Sequence, residues 1–295
     1  VETGVSMPTS IQKIADGVEY MNAYNEARNN YGLDNYYTEE KIEGTKNRIN
    51  PYVYPNNNWY DVLFKDSSFN QNVNINVTGG GKKVDYFLNA SFFNETGILK
   101  ETSTGRFNTN ASSRKYLFQS NVSAQITPST RIGVKINSQL QYRTLPYTSA
   151  NDLFFYTMRA NPVDFPAYFP SDIVGINDGN TYYGNAPSWD GSATQINPLA
   201  YLDMGYKDYY LSYLTSVFNM DQDLKFITKG LHFKLLTSFY NKTWSDQERY
   251  FTPFYKKVNG YTIGSDNSFN LDLIDIGTAG KSYLSYGVSR DGYRE

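Results

Sequence analysis

A chain of 295 residues with a formal charge of -2 has no basic excess to neutralise a nucleic-acid backbone, so no nucleic-acid partner is expected. The absence of cysteine excludes a disulfide framework, a thiolate metal site and a cysteine nucleophile. Aromatic residues make up 17% of a chain whose mean hydropathy is -0.57, which suits a protein that faces both water and something greasy.

No run of about 18 apolar residues occurs, so no membrane-spanning helix is expected. The opening VETGVSMPTS has neither an initiating Met nor a secretory signal and reads as the middle of a longer chain. Residues 1–7 alternate like the end of a strand. Asp16-Gly-Val-Glu19 is a capping-box start, and Ile14, Val18, Met21, Tyr24 and Ala27 recur at helical steps. Together they predict a helix over about 17–29, inside a first long loop of 8–58.

From residue 70 the period becomes two. Strand 70–78 sets Val73, Ile75 and Val77 against Asn72, Asn74 and Asn76. Strand 84–93 sets Val84, Tyr86, Leu88, Ala90 and Phe92 against Asp85, Asn89 and Ser91, with Phe87 and Phe93 as exceptions. In strand 116–126, Tyr116, Phe118, Val122, Ala124 and Ile126 oppose Gln119, Asn121, Ser123 and Gln125, while Leu117 and Ser120 do not fit. In strand 132–143, Ile132, Val134, Ile136, Leu140 and Tyr142 oppose Lys135, Asn137, Gln139, Gln141 and Arg143. Two more strands are expected at about 208–223 and 231–243. Each has about the ten residues a tilted strand needs to cross a bilayer.

The connections sharpen this reading. TGGGKK, TPSTR and DLKFITKG are short turns, whereas the links at about 94–115, 144–206 and 244–280 are long, and the two kinds alternate. An outer-membrane barrel places all tight turns at one end and all long loops at the other; a soluble sandwich has no reason to. The polar face is rich in Asn, Gln and Ser rather than Lys and Glu, which suits a hydrated lumen. The expected fold is therefore all-β, part of an antiparallel transmembrane β-barrel, with long extracellular loops at 144–206 and 244–280 and one short helix.

Taken together, NPYVYPNNNWYDVLFKD, NVNINVTGGGKKVDYFLNASFFNETGILK, RANPVDFPAYFP and QDLKFITKGLHFKLLTSF resemble the first part of the barrel of a SusC/RagA-type TonB-dependent transporter of Bacteroidota, and the helix VEYMNAYNEAR is similar too. The resemblance implies a 22-stranded barrel, of which this chain would supply about seven strands, preceded by a plug and a TonB box not found here. It also implies residence in the outer membrane of a Gram-negative bacterium among outer-membrane lipids. The implied activity is import of glycans or peptides with a SusD-like lipoprotein, driven by a TonB-ExbB-ExbD complex. Six strands and a stub cannot close a barrel alone, and an open edge in hydrocarbon costs several kcal/mol per unpaired group.

Individual motifs carry less. TGGGKK lacks the phosphate-loop spacing and precedes a strand, so it reads as a hairpin turn whose glycines supply positive φ and whose Lys82 and Lys83 solvate the rim. His232 is the single histidine, and it shares a strand face with Lys234 as a solvated pore residue would. Asp172, Asp178 and Asp190 could supply paired carboxylates, but loop solvation is the default, and no catalytic residue, cofactor or metal is expected. The aromatics of 144–206 serve first to pack the loop or meet a partner, with substrate or partner contact by Tyr182, Tyr183, Trp189 or Asp190 as a further expectation. The alternative from another class is a secreted soluble glycan-binding or adhesin β-domain.

Overall fold

The computed structural model describes residues 2–8, 13–101, 107–188, 190–191 and 193–294. In chain order, β1 (Glu2–Ser6) leads into α1 (Gly17–Asn30), α2 (Glu39–Lys46) and α3 (Trp59–Leu63). Two hairpins follow, β2 (Ser68–Gly80) with β3 (Val84–Thr96) and β4 (Ser112–Thr127) with β5 (Thr130–Pro146). The next connection holds α4 (Ala150–Arg159), β6 (Tyr168–Phe169), α5 (Ser171–Val174), β7 (Tyr182–Gly184) and α6 (Pro198–Asp203). A third hairpin pairs β8 (Gly205–Asp223) with β9 (His232–Tyr250), and β10 (Phe254–Ile263), β11 (Phe269–Asp275) and β12 (Ser285–Arg294) follow.

An antiparallel eight-stranded sheet runs β1-β2-β3-β4-β5-β8-β9-β12, and a smaller sheet runs β11-β10-β7-β6. Strands consecutive in the large sheet join alternately by tight turns (81–83, 128–129, 224–231) and by long links, so every tight turn lies at one end.

The register settles the faces. Val73, Phe92, Tyr116 and Leu140 form one row, and Ile75, Ala90, Phe118, Ser138 and Leu214 the next, all on one side. Opposite them, Asn74, Ser91, Leu117, Gln139 and Tyr213 form one row and Asn76, Asn89, Gln119, Asn137 and Thr215 another. The misfits find places without a register slip. Leu117 lies on the polar side, as do Phe87 and Phe93, and Ser120 lies on the apolar side between Leu88 and Ile136.

The apolar side is not a core. Ile75 is 63% exposed and Val77 50%, and Leu88, Tyr116, Phe118, Val134, Phe218 and Phe239 are exposed beside them. From the row of Leu140 to that of Ile132, no charged residue faces this side among the described residues of β2, β3, β4, β5, β8 and β9, and Arg114 marks the border in the row of Tyr142. That stretch of β5 is ~27 Å long, or ~20 Å upright at the tilt of a barrel strand, and the Tyr142 row beyond it brings the height to the ~25 Å of a lipid-facing band. At its loop-side border Phe92, Tyr116, Tyr142 and Tyr210 meet ring to ring at 5.1, 6.5 and 5.0 Å, forming the aromatic girdle expected at a membrane interface.

The buried core lies in the loops instead. Trp59, Leu63, Phe165, Tyr183, Leu199 and Leu202 pack into one cluster, and Met21, Tyr37, Ile42 and Val163 into a second. The long links thus fold into a cap over one end of the sheet. Buried Asn197 knits it, donating to the carbonyls of Ala167 and Gly184, both at 2.8 Å, while its Oδ1 caps α6.

Two expectations need correction. The segment 244–280 is not one loop: β9 continues to Tyr250, and β10 and β11 then form a hairpin in the cap sheet. The strand was hidden because Trp244, Asp246 and Glu248 alternate with Ser245, Gln247 and Arg249, so both faces are polar once β9 leaves the apolar band. Nor do the TGGGKK glycines supply positive φ, since none of Gly79, Gly80 and Gly81 adopts it. Gly79 and Gly80 belong to β2, and a Cβ on Gly79 would come within 2.5 Å of the Tyr86 hydroxyl. Glycine is needed there because the Tyr86 ring lies over the backbone.

Candidate functional site

The cap carries a cleft of about 380 Å³ between α1, the 36–37 strip, the end of α4, Ser188 and residues 194–196. Its construction begins at Asp16, whose carboxylate accepts from the amides of Val18 and Glu19 while the Glu19 side chain accepts from the Asp16 amide. The helix so started buries Gly17, Met21 and Asn25 and leaves Tyr20 and Tyr24 on the flank. Ala27, expected on the buried stripe, is exposed.

Asn25 then sets the second wall. Its Nδ2 donates to the Tyr37 carbonyl at 2.7 Å, and its Oδ1 accepts from the amides of Tyr36 and Tyr37, both at 3.0 Å. The rings of Tyr24, Tyr36 and Tyr37 consequently meet edge to face at 4.9–5.6 Å. Tyr20 stacks on Tyr24 at 6.2 Å.

The floor is polar. Asp164 accepts from the Tyr37 hydroxyl at 3.1 Å, Asn161 Nδ2 at 2.8 Å and Gln195 Nε2 at 2.7 Å. Asn161 is held in turn, its carbonyl accepting from Trp59 Nε1 at 3.0 Å. Burial and the Asp164 charge push the Tyr37 hydroxyl well above its ordinary range, and the same causes raise Tyr20 and Tyr36. All three therefore remain neutral donors at physiological pH. Arg159 borders the cleft with its guanidinium 4.8 Å from the centre of the Phe155 ring. Tyrosine edges, amides and one guanidinium make a surface that can stack and hydrogen-bond a sugar ring or a peptide.

A second cleft, about 360 Å³, is lined by Lys41, Tyr52 and Lys257 and shares Asp164 with the first. Lys41 Nζ donates to the Val53 carbonyl at 2.7 Å, and burial pulls its pKa down to about 8, against the pull of Asp164.

The residues singled out in the sequence fare differently. Tyr183 is fully buried and donates to Asp203 at 2.8 Å, so it packs the cap and is closed to any ligand. Tyr182 is buried as well, donating to Asp178 at 2.8 Å, and its pKa is pushed up to about 12 by burial and that carboxylate. Asp190 does not line the cleft, but it accepts at 2.6 Å from the Oγ of Ser188, which does. Trp189 lies outside the described residues. Of the other carboxylates, Asp178 holds its own turn through Asn180, and Asp172 stands in the first turn of α5. The cleft's own residues went unnoticed because four separate segments supply them. The visible signals were the Tyr20/Tyr24 pair at helical spacing and the Tyr36-Tyr37 doublet.

Comparison with known proteins agrees with this architecture. No family model matches the chain. A TonB-dependent receptor, P26, of Formosa agariphila is 29% identical over 87 residues, which is 30% of this chain and 8% of the receptor. The solved RagAB peptide transporter superposes with a TM-score of 0.56 at 13% identity, covering 85% of this chain and 28% of that one. The RagAB peptide importer in its "closed-closed" state gives 0.53 at 12% identity, with 84% and 28% covered. The chain thus spans less than a third of the proteins it resembles, and the superpositions show the fold. The chain is thus similar in sequence to a stretch of a TonB-dependent receptor and in fold to part of the RagAB peptide transporter.

Proposed function

We propose that the chain belongs to an importer in the outer membrane of a Gram-negative bacterium, taking up glycans or peptides with a SusD-like surface lipoprotein and drawing energy from a TonB-ExbB-ExbD complex. The carrying observation is the two-faced sheet, whose exposed apolar side has a lipid band and girdle while its other side is lined with amides. In this reading the tight turns face the periplasm, the amide rows border a wet passage, and the cap is extracellular. A secreted β-domain would have to leave Ile75 and Val77 in water.

In this reading the Tyr24, Tyr36 and Arg159 cleft, rather than buried Tyr182 and Tyr183, is the place where substrate or lipoprotein is met. The test uses the full-length transporter in its own bacterium, with uptake and lipoprotein co-purification as readouts. Tyr24→Ala with Tyr36→Ala should lower one of them about tenfold, at ~0.5–1.5 kcal/mol per aromatic contact, while the amount in the outer membrane holds. Unchanged uptake and unchanged co-purification would remove the cleft from the functional account. Recovery of the full-length protein as a soluble secreted species would remove the importer itself.

A further inference from the structure

The β8–β9 turn differs from its two neighbours at the tight-turn end. Residues 81–83 and 128–129 are Gly, Lys, Pro and Ser, whereas 224–231 read LKFITKGL. The turn is ordered by its own backbone: Leu224 and Leu231 close it at 2.9 Å, the amides of Ile227 and Thr228 donate to the Leu224 carbonyl, and Leu231 donates to Thr228. At its tip Phe226 is 72% exposed and Ile227 64%.

We propose that this turn is a membrane anchor, with Phe226 and Ile227 seated at the boundary of headgroups and acyl chains in the periplasmic leaflet and Lys225 and Lys229 at the phospholipid phosphates. The assignment rests on the barrel reading above and adds a contact that reading does not require. Continuity argues for lipid as the occupant: Leu235 and Phe233 lie on the lipid-facing side of β9, and the exposed Leu231 carries that stripe to the turn. Charge argues the same way. Lys225 is paired with Asp223 at 3.4 Å, whereas Lys229 has no ion pair among the described residues and stands free for an anionic headgroup. Aromatic and aliphatic tips flanked by lysines are the side chains that settle at such an interface.

The experiment uses the full-length transporter in vesicles of phosphatidylethanolamine and phosphatidylglycerol, with one nitroxide at a time at Phe226→Cys, Lys82→Cys or Val77→Cys. These 295 residues hold no cysteine, and any cysteine elsewhere in the full-length transporter is first replaced by serine. Relaxation by lipid-soluble oxygen is compared with relaxation by a water-soluble nickel chelate. The expected order of oxygen preference is Val77 greatest, Phe226 intermediate and Lys82 least. A label at 226 as open to the chelate as that at 82 would overturn the anchor in favour of water. Shielding from both reagents would overturn it in favour of a protein contact. Failure of the Val77 label to prefer oxygen would instead remove the barrel reading, and the anchor with it.

Discussion

Gly79 and Gly81 stand in one hairpin, yet they answer to different constraints. A side chain at 79 meets the Tyr86 ring, while around 81 nothing lies within 4 Å and its φ is ordinary. Gly79→Val should therefore cost ~1–3 kcal/mol by overpacking, and Gly81→Ala less than ~0.5 kcal/mol, measured by denaturant unfolding of the full-length protein in lipid. A glycine in a turn pattern implies positive φ, and the residue pattern alone does not distinguish that from close approach of a side chain. Lys41 offers a pH test. A lysine lowered from 10.5 to about 8 on folding binds fewer protons than the unfolded chain between those values. Cap stability should thus rise with pH from about 8, in wild type but not in Lys41→Met. Above about 10 the raised hydroxyls of Tyr37 and Tyr183 reverse the trend, because only the unfolded chain then ionises them. Thermal unfolding followed by near-ultraviolet circular dichroism across that range would show a maximum in wild type.

Elements were legible where one environment held along their whole length. Inside the apolar band, β2 and β5 alternate so that their faces could be read from period two, and β3 does so apart from Phe87 and Phe93. Outside it the same ladders continue with water on both sides, and the period disappears, as in the last turns of β9 and in β12, where a register shift follows Tyr286. The helix α1 was readable through its cap, since Asp16 and Glu19 speak to backbone amides nearby in sequence. By contrast α2 has only Thr38 and a polar, short span, and its folding depends on Ile42 joining Met21 and Val163. Asp16→Ala should cost ~1 kcal/mol, appearing as faster hydrogen exchange in the first turn of α1 and a looser Tyr20/Tyr24 wall. Unchanged exchange there would mean that packing of Met21, rather than the cap, starts the helix.

For the whole molecule, the sheet's inversion of the usual order is the main physical fact: apolar residues lie exposed on one side of it, and the buried cores sit in the connecting segments. Alternation and loop lengths revealed the sheet because each is local. The cap and its cleft were not legible, because Tyr36, Asp164 and Gln195 meet only through contacts between residues far apart in the chain. The side assignment is the claim on which the functional account stands, and two adjacent positions test it. Ile75 faces the proposed lipid and Asn74 the amide-lined interior, where it donates to Asn89 at 2.8 Å. In the full-length transporter, Ile75→Arg should abolish or sharply reduce assembly into the outer membrane, at ~2–4 kcal/mol for an arginine in the bilayer, while Asn74→Arg assembles near the wild-type level. Equal assembly of the two variants would contradict the account.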